Sequence, residues 1–364
     1  MTRTLLLNPG PVNVSPRVVA ALQRGDLCHR EKEFADLAAG IRRKLLASFD
    51  IEKEFTSVLI SGSGTAALEM GAAAIVSPGK SVLVIQNGVY GERIARIAAT
   101  YHIPHQVLET PWGVPPDLAA IENAIQQNAD IEVVAMVHHE TTTGLLNPLK
   151  EVGEICQRHG KKFFVDGISS LAGDDFDFAA CHVDMVVGTA NKCIQGIPGV
   201  SFVLFRREDA PRLKNIPARS LYLNLMGHHQ AQEKGETLFT PAVQAHYALD
   251  EALDELNEET VAQRIKRYRA QAQLLRAGFA EMGLKILLPE NIRSNVLTAL
   301  ELPAGLSYPS LHDRLKERGF VIYAGQGNLG NQIFRVANMG DIRTEEFERF
   351  LVALSECISS SKNG

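Results

Sequence analysis

The sequence predicts an α/β protein, in which a large domain holds a mostly parallel sheet covered by helices on both faces and a small α+β domain follows. Short apolar runs alternate with helical stretches between residues 57 and 205. Several of these runs are almost continuously apolar, which is typical of strands buried on both faces of a parallel sheet. Beyond residue 285 the spacing of the elements changes, and this change indicates the small domain.

Six predicted strands and the helices between them build the large domain. The Gly- and Pro-containing turn at 196–199 is too short for a crossover helix, so we expect one antiparallel strand. The predicted strands are 57–60, 81–86, 131–138, 162–166, 183–187 and 200–205. The predicted helices are 16–24, one that ends near 49, 65–75, 91–101, 116–127 and 149–159.

The second half of the chain predicts a long helical connection and then the small domain. Residues 208–247 lack clear periodicity, and 247–282 predict helical material that is interrupted near Asn257. We therefore divide the chain into an N-terminal arm at 1–14, a large domain at 15–255 and a small domain at 256–364. The small domain has predicted strands at 295–302, 320–324 and 332–336, helices at 307–318 and 344–359, and a polar tail from 359 to 364.

Composition limits the classes of function. The chain has 364 residues and a net charge of −5, which argues against a nucleic-acid partner. No apolar run approaches the length of a membrane helix, and the apolar stretch near the N-terminus is too short for a signal peptide. The five cysteines are odd in number and widely scattered, so we expect free thiols and a cytoplasmic protein.

One lysine stands out between the last two predicted strands of the large domain. Lys192 is the only charged residue from Met185 to Phe205. Burial of a lysine without a partner is costly and lowers its pKa, which makes the amine a nucleophile near neutral pH. Taken alone, the pattern would equally fit a solvated lysine in a turn, so the interpretation depends on what else the sequence places nearby.

Three further features support a reactive lysine. Asp166 ends a predicted strand, and carboxyl ends of parallel strands face the ligand crevice of α/β proteins. The small-residue turn at 61–65 opens a predicted helix, where free N–H groups bind phosphate. Tyr90 follows another strand and offers an aromatic face. A lysine, an aspartate, a phosphate site and a stacking ring together predict a pyridoxal phosphate site.

Four segments resemble one enzyme family. Residues 189–199, TANKCIQGIPG, are similar to the cofactor-lysine segment of the 2-aminoethylphosphonate–pyruvate aminotransferases, which are class V aminotransferases of fold type I. The segments HETTTGLLNP at 139–148, NPGP at 8–11 and GFVIY at 319–323 resemble other parts of that family. The resemblance extends from about Leu5 to Leu354. It implies a seven-stranded sheet and a homodimer whose partner chain completes the active site.

The resemblance also implies roles for individual residues. Lys192 would bind pyridoxal phosphate covalently and then act as general base and acid, while Asp166 would keep the ring nitrogen protonated. Tyr90 would stack on the ring, and Thr143, with Thr142 as an alternative, would bind the ring hydroxyl. The expected phosphate ligands are Ser63, Gly64, Thr65, Thr189 and, from the partner chain, Thr240. The expected substrate ligands are Arg335 as the anion anchor, with Asn8, Gly10 and Arg30.

No metal site is expected. The pairs His138–His139 and His228–His229 lack the spacing of four that places two ligands on one helix face, and no cysteine accompanies them.

Three functional hypotheses follow. The first is amino transfer from 2-aminoethylphosphonate to pyruvate, giving phosphonoacetaldehyde and alanine. The second keeps the cofactor but changes the reaction: His29–Arg30 resembles a segment of alanine and serine–glyoxylate aminotransferases, and a lyase acting on a hydroxylated aminoethylphosphonate is a further alternative. The third is a dinucleotide-dependent oxidoreductase or a noncatalytic binder, although no G-x-G-x-x-G follows the first strand of the large domain.

Overall fold

The computed structural model describes residues 3–359, so the predicted polar tail beyond Ser359 and the first two residues of the arm lie outside the described residues. The strands are β1 Leu5–Leu6, β2 Phe55–Gly62, β3 Ser81–Gln86, β4 His105–Glu109, β5 Ile131–Val137, β6 His139–Glu140, β7 Leu145–Leu146, β8 Lys162–Asp166, β9 Met185–Thr189, β10 Gly199–Arg206, β11 Leu297–Glu301, β12 Phe320–Val321, β13 Tyr323–Ala324 and β14 Ile333–Ala337.

Helices separate most of these strands. They are α1 Pro16–Ala21, α2 Lys32–Ser48, α3 Gly64–Ile75, α4 Val89–Thr100, α5 Leu118–Gln127, α6 Leu149–Arg158, α7 Ala210–Lys214, α8 Leu225–Glu233, α9 Val243–Glu259, α10 Val261–Glu281, α11 Tyr308–Glu317 and α12 Thr344–Ser359. No helix of residues 3–359 is both long and apolar enough to cross a membrane.

The central sheet has seven strands in the order β2-β10-β9-β8-β5-β3-β4. Strand β10 runs antiparallel to both of its neighbours, β2 and β9. The remaining neighbours in the sheet pair in parallel. The predicted mostly parallel α/β sheet with one antiparallel strand is therefore confirmed. The short 196–199 turn forces this arrangement, because a parallel return would need a crossover.

The sequence prediction missed one strand of this sheet. Strand β4 lies at the edge, where it pairs only with β3, and four of its five residues are exposed. Its sequence, HQVLE, has no continuous apolar run, because an edge strand does not need two buried faces. The short hairpin of β6 and β7 was also missed.

A second correction concerns the predicted strand at 320–324. The structure divides it into β12, which pairs with β1 of the N-terminal arm, and β13, which pairs with β14. Two separate strands form because their hydrogen-bond partners belong to different sheets. The arm is thus extended, as expected, and it is joined to the C-terminal part of the chain.

Apolar side chains cover both faces of the central sheet. One core cluster contains Val134, Val165 and Val186, and the other contains Val133, Phe164 and Val187, so successive residues of each strand point to opposite faces. A third cluster gathers Phe334, Phe347 and other side chains of the C-terminal part, together with Leu5 and Leu7.

Helices α9 and α10 form the predicted long helical connection. They are separated at Thr260, which has φ +71° and caps α10 by accepting a hydrogen bond from Gln263 N. The interruption therefore falls close to the predicted position. The domain boundaries at 15–255 and 256–364 stay a prediction.

Candidate active site

The predicted site residues gather at one edge of the central sheet. Asp166 is the last residue of β8 and Thr189 is the last residue of β9, while α3 and α4 begin just after β2 and β3. All four positions lie at the carboxyl ends of strands, where open α/β sheets bind ligands. Because neighbouring strands end together, residues far apart in sequence become neighbours in space.

Lys192 lies beneath the N-terminal arm. Its Nζ donates a hydrogen bond to the Pro9 carbonyl oxygen. A Cβ atom on Gly10 would stand 2.7 Å from the Lys192 Nζ, and Gly10 has φ +100°, so both space and backbone require glycine there. Burial lowers the pKa of Lys192 to about 8, although the negative charge of Asp166 opposes this change. The amine is thus partly unprotonated near neutral pH.

Asp166 is 3% exposed, and one of its two carboxyl oxygens has no hydrogen-bond partner among residues 3–359. Its Oδ1 accepts a hydrogen bond from the Ile168 N–H at 2.9 Å, whereas Oδ2 has no hydrogen-bond partner among residues 3–359. Burial raises the pKa of Asp166 to about 6, and Lys192 and Arg93 partly offset this rise. Near pH 7 the carboxylate is therefore ionised, and its Oδ2 can accept a hydrogen bond from a ligand.

The turn before α3 offers unused donors. Ser63 is the N-cap residue, but its side chain makes no capping hydrogen bond. The N–H groups of Gly64 and Thr65 have no acceptor within the described part of the chain. Arg93 Nη1 approaches Thr65 Oγ1 at 3.5 Å, so a cation stands beside this helix N-terminus. Free N–H groups, the helix dipole and a guanidinium together attract an anion such as phosphate.

Thr189 and Thr240 have different surroundings. The Thr189 hydroxyl donates to Asn191 Oδ1 at 2.9 Å and accepts from Ser201 Oγ at 2.9 Å, so it is already engaged within the protein. Thr240 is exposed and lines a groove with Ser61, whose hydroxyl accepts from the Ala242 N–H.

Tyr90 lies in the first turn of α4. The Arg93 guanidinium covers one face of its ring, with 4.8 Å between the guanidinium carbon and the ring centroid.

The two threonines that are candidates for binding the ring hydroxyl, Thr142 and Thr143, differ in their hydrogen bonds. The Thr142 hydroxyl donates to Glu140 Oε1 at 2.6 Å, whereas the buried Thr143 hydroxyl has no partner within residues 3–359. The free hydroxyl of Thr143 is therefore the one that remains for a ligand.

Glu140 is a site residue to which the sequence analysis assigned no role. Its carboxylate is fully buried and accepts from Thr142 N and from Gly91 N at 3.1 Å, near the N-terminus of α4. A Cβ on Gly88 would lie 2.3 Å from the Glu140 Cδ, so the carboxylate fits only against glycine. No local pattern in the sequence signals this contact, because Gly91 and Glu140 are 49 residues apart in the chain.

Arg335 is a buried arginine without an acidic partner. It is 2% exposed, and among residues 3–359 it forms no ion pair. Its Nε donates to Ala324 O at 2.9 Å, and its Nη1 donates to Thr141 O at 2.8 Å and Gln326 Oε1 at 3.1 Å. Its Nη2 has no partner in the described structure, and burial lowers the pKa of Arg335. A buried cation that forms no ion pair with a described residue attracts an anionic ligand strongly.

The other residues expected to bind the substrate differ in burial, because Asn8 is buried in the N-terminal arm and Arg30 is exposed. Asn8 is buried, and its Nδ2 donates to Pro11 O at 2.9 Å, which holds the arm in shape. Arg30 is exposed and makes no hydrogen bond or ion pair with any described residue. The structure therefore places the arm at Lys192 but gives no contact that brings Arg30 to the site.

The paired histidines carry no charge into the site. Burial lowers the pKa of both His138 and His139 to about 3, so both rings are neutral near pH 7. Within residues 3–359, no group of three or more His, Cys, Asp or Glu side chains is placed to hold a metal ion.

The unused groups of the site fit pyridoxal phosphate. The spare Asp166 oxygen suits a protonated ring nitrogen, the unpartnered Thr143 hydroxyl suits the ring 3-hydroxyl, and the free N–H groups of α3 suit the phosphate. The depressed pKa of Lys192 suits covalent attachment to the aldehyde. The fold and this site define a pyridoxal-phosphate-dependent enzyme of fold type I.

Comparison with known proteins narrows this class. The family model of the class-V aminotransferases matches residues 12–330, and the chain belongs to that family. It is similar to 2-aminoethylphosphonate–pyruvate transaminase of Vibrio cholerae serotype O1, with 37% identity over 97% of both chains. The protein of that name from Bacteroides fragilis is 35% identical over 97% of this chain and 98% of its own. The solved structure of alanine–glyoxylate aminotransferase from Nostoc sp. superposes with a TM-score of 0.93 at 28% identity, covering 98% of this chain and 96% of that one.

Proposed function

We propose that this aminotransferase moves the amino group of 2-aminoethylphosphonate to pyruvate, producing phosphonoacetaldehyde and alanine, and so acts in phosphonate metabolism. The proposal rests mainly on Arg335, a buried guanidinium that forms no ion pair among residues 3–359 and whose charge acts on Lys192. Relatives that carry this activity in their names, at 35–37% identity, support it. A guanidinium binds both the phosphonate of the donor and the carboxylate of pyruvate through paired hydrogen bonds.

Lys192 is proposed to move the proton in the reaction. Lys192 would hold the cofactor, and its amine, when free, would take a proton from the amine-bearing carbon of the donor and later return one. Its pKa of about 8 suits both directions, because the neutral and protonated amines are both populated near neutral pH. When bound, pyridoxal phosphate supplies the electron sink that stabilises the negative charge left on the amine-bearing carbon.

The remaining residues are proposed to orient the cofactor and the donor. Asp166 would hold the proton on the ring nitrogen through Oδ2, since Oδ1 already accepts from Ile168 N. Thr143 would bind the ring hydroxyl, and Tyr90 would stack on the ring. The phosphate ligands are proposed to be Ser63, Gly64, Thr65, Thr189 and the partner's Thr240. Asn8 and Gly10 close the site over Lys192, and Arg30 has no contact that supports its earlier assignment to the substrate site.

We also propose a cytoplasmic homodimer. The exposed position of Thr240 beside Ser61 supports it, because a neighbouring subunit would bring a second hydroxyl to the turn before α3. Light scattering should give a mass near twice 39.8 kDa. A mass of 39.8 kDa at catalytic concentrations would contradict the dimer.

The reaction is tested by incubating the holoenzyme with 2-aminoethylphosphonate and pyruvate and measuring alanine. We expect alanine and phosphonoacetaldehyde in equal amounts. The change Lys192→Ala should lower the rate by at least about 10²- to 10⁴-fold, because it removes the general base, and should abolish the near-visible absorbance of the bound cofactor. The exposed lysine change Lys234→Ala is the matched control and should alter neither property.

Other outcomes identify the competing reactions. Formation of glycine from glyoxylate with alanine or serine as the amino donor, with no turnover of the phosphonate, would replace the proposal with the alanine or serine–glyoxylate alternative. Release of ammonia from a hydroxylated aminoethylphosphonate without any keto acid would indicate the lyase.

A further inference from the structure

Gln326 lies against the buried anion anchor. Its Oε1 accepts a hydrogen bond from Arg335 Nη1 at 3.1 Å, and this is the only side-chain acceptor that Arg335 contacts among residues 3–359. Gln326 also lies near Tyr90. Burial raises the pKa of the Tyr90 phenol, and the charges of Arg335 and Arg93 oppose that rise, with a smaller opposing effect from Gln326. The Gln326 amide thus lies between Arg335, the anion anchor, and the Tyr90 ring.

We propose that Gln326 is a specificity-determining residue, which selects tetrahedral phosphonate donors over planar carboxylate ones by donating a hydrogen bond to the third oxygen of the phosphonate. This inference rests on the proposed function, because it concerns how the same site chooses its amino donor. No role in the reaction was assigned to Gln326 from the sequence.

The argument starts from the geometry of the two anions. The guanidinium of Arg335 is planar, and its Nη1 already donates to Thr141 O and Gln326 Oε1. The two N–H groups of Nη2, which has no partner among residues 3–359, can meet two oxygens of a ligand. A carboxylate has only two oxygens and is satisfied by such a pair. A phosphonate carries three oxygens in a tetrahedron, so its third oxygen leaves the guanidinium plane and needs another donor. The Gln326 carboxamide provides two N–H groups next to Arg335.

The orientation of the amide follows from its contacts. Gln326 Oε1 accepts from Arg335, whereas Gln326 Nε2 has no hydrogen-bond partner among residues 3–359. The amide is partly exposed rather than sealed in the core, so a ligand can reach it. Gln326 therefore keeps its donors available while its acceptor is held by the anchor.

The loop that carries Gln326 is closely fitted. Gly325 N donates to Ile333 O at 3.0 Å, and a Cβ on Gly325 would stand 2.1 Å from Leu329 O. Gly327 has φ +50°, and a Cβ there would stand 2.7 Å from the Trp112 ring. The backbone on both sides of Gln326 is thus fixed against strand β14 and Trp112, which limits where the side chain can point.

Two variants test the proposal. Gln326→Leu keeps roughly the size of the side chain but removes both its donors and the Oε1 acceptor of Arg335. Gln326→Glu keeps an acceptor for Arg335 and replaces the donors by an anion. Gln332→Leu is the matched control, since Gln332 lies in the same loop, is exposed, and its side chain bonds only to Asn328 O among residues 3–359. All measurements use the holoenzyme.

With Gln326→Leu, we expect kcat/KM for 2-aminoethylphosphonate to fall about tenfold or more, almost wholly through KM, because one hydrogen bond to an anion is lost. For alanine as donor the fall should stay below about threefold, because a carboxylate needs no third donor. Gln326→Glu should raise KM for the phosphonate further, and Gln332→Leu should change neither donor. Equal losses for both donors, or an unchanged phosphonate KM, would overturn the proposal.

Inhibition constants separate this inference from the proposed function. Ethylphosphonate and propionate lack the amine, so they report binding of the anion alone when they compete with alanine. The wild type should prefer ethylphosphonate, and Gln326→Leu should lose about tenfold of that preference. If the wild type does not turn over 2-aminoethylphosphonate, the proposed function fails. The ratio of inhibition constants then still decides whether Gln326 selects phosphonates, and an unchanged ratio refutes it.

Discussion

At the scale of single residues, the site depends on two buried groups with opposite changes in pKa. Burial lowers the pKa of Lys192 to about 8 and raises that of Asp166 to about 6. Both changes have the same cause, because a low-dielectric site disfavours the charged form of each group. The cost of placing them there is compensated when a ligand pairs with both, which is the arrangement that covalent attachment of the cofactor requires.

The rate of cofactor capture should report the pKa of Lys192. Only the unprotonated amine attacks an aldehyde, so the rate at which cofactor-free protein takes up pyridoxal phosphate should rise with pH and level off above about 8. An ordinary lysine would continue to gain reactivity up to about pH 10. Stopped-flow absorbance between pH 6 and 10 measures this. A rate that still climbs tenfold per pH unit at pH 9.5 would contradict the depressed pKa.

At the scale of secondary structure, Glu140 ties two elements together. It belongs to the short strand β6, yet it accepts from Gly91 N at 3.1 Å in the first turn of α4. Tyr90 lies in that turn, so the carboxylate fixes the helix that presents the ring to the site. A negative charge at a helix N-terminus is favourable because of the helix dipole. The glycine at position 88 leaves the space that this contact needs.

The change Gly88→Ala should disturb this cap. The added Cβ would stand 2.3 Å from Glu140 Cδ, so the carboxylate must move, and we expect a loss of about 1–3 kcal/mol in the free energy of unfolding. The backbone is extended at Gly88, with φ 173°, so the effect is steric rather than conformational.

Gly25→Ala is the matched control for Gly88→Ala, because a Cβ there meets no atom within 4 Å. Denaturant titration gives both free energies, and cofactor affinity should weaken only in Gly88→Ala. Equal stability of the two variants would show that Glu140 does not depend on the glycine.

At the scale of the whole molecule, a buried acid joins the region after β8 to the segment before β11. Asp174 accepts from Ser294 Oγ at 2.7 Å and from Asn295 N at 2.6 Å, and it lies 3.8 Å from the neutral His139 ring. The N-terminal arm makes a second connection through the pairing of β1 with β12. Lys192 and Arg335 lie on opposite sides of these connections, so the relative placement of the two depends on them.

The contribution of Asp174 to stability should depend on pH. Burial raises its folded pKa to about 6, so the folded state binds the proton more tightly than the unfolded state, whose pKa is about 3.8. Above pH 6 the carboxyl is charged in the folded state, and this buried charge lowers the free energy of unfolding. Below pH 4 the carboxyl is protonated in the folded state, and this destabilisation is absent. Relative to Asp174→Asn, the wild type should lose on the order of 3 kcal/mol as the pH rises from 4 to 7.

Chemical denaturation of wild type and Asp174→Asn at several pH values tests this contribution. Most of the change should fall between pH 4 and 6, and the difference should then become constant. A difference that is independent of pH would mean that Asp174 titrates normally. Asp26→Asn, at an exposed position far from Asp174 in the sequence, serves as the control.

The sequence alone determined the class of this protein. Strands and helices have hydrophobic periods of two and 3.6 residues, which are local properties of the chain. The alternation of the two patterns was sufficient to predict the parallel sheet and its antiparallel strand. The isolation of Lys192 among apolar residues, with Asp166 at the end of a strand, was likewise visible without coordinates.

The tertiary structure decided what depends on distant contacts. Strand β4 could not be predicted because an edge strand lacks the apolar pattern, and the segment 320–324 divided because its two halves found partners in different sheets. The cap that Glu140 gives to α4 and the contact of Gln326 with Arg335 have no signature in the sequence. Burial, hydrogen bonding and the altered pKa values all arise when strands bring remote residues to one edge, and no local pattern encodes that meeting.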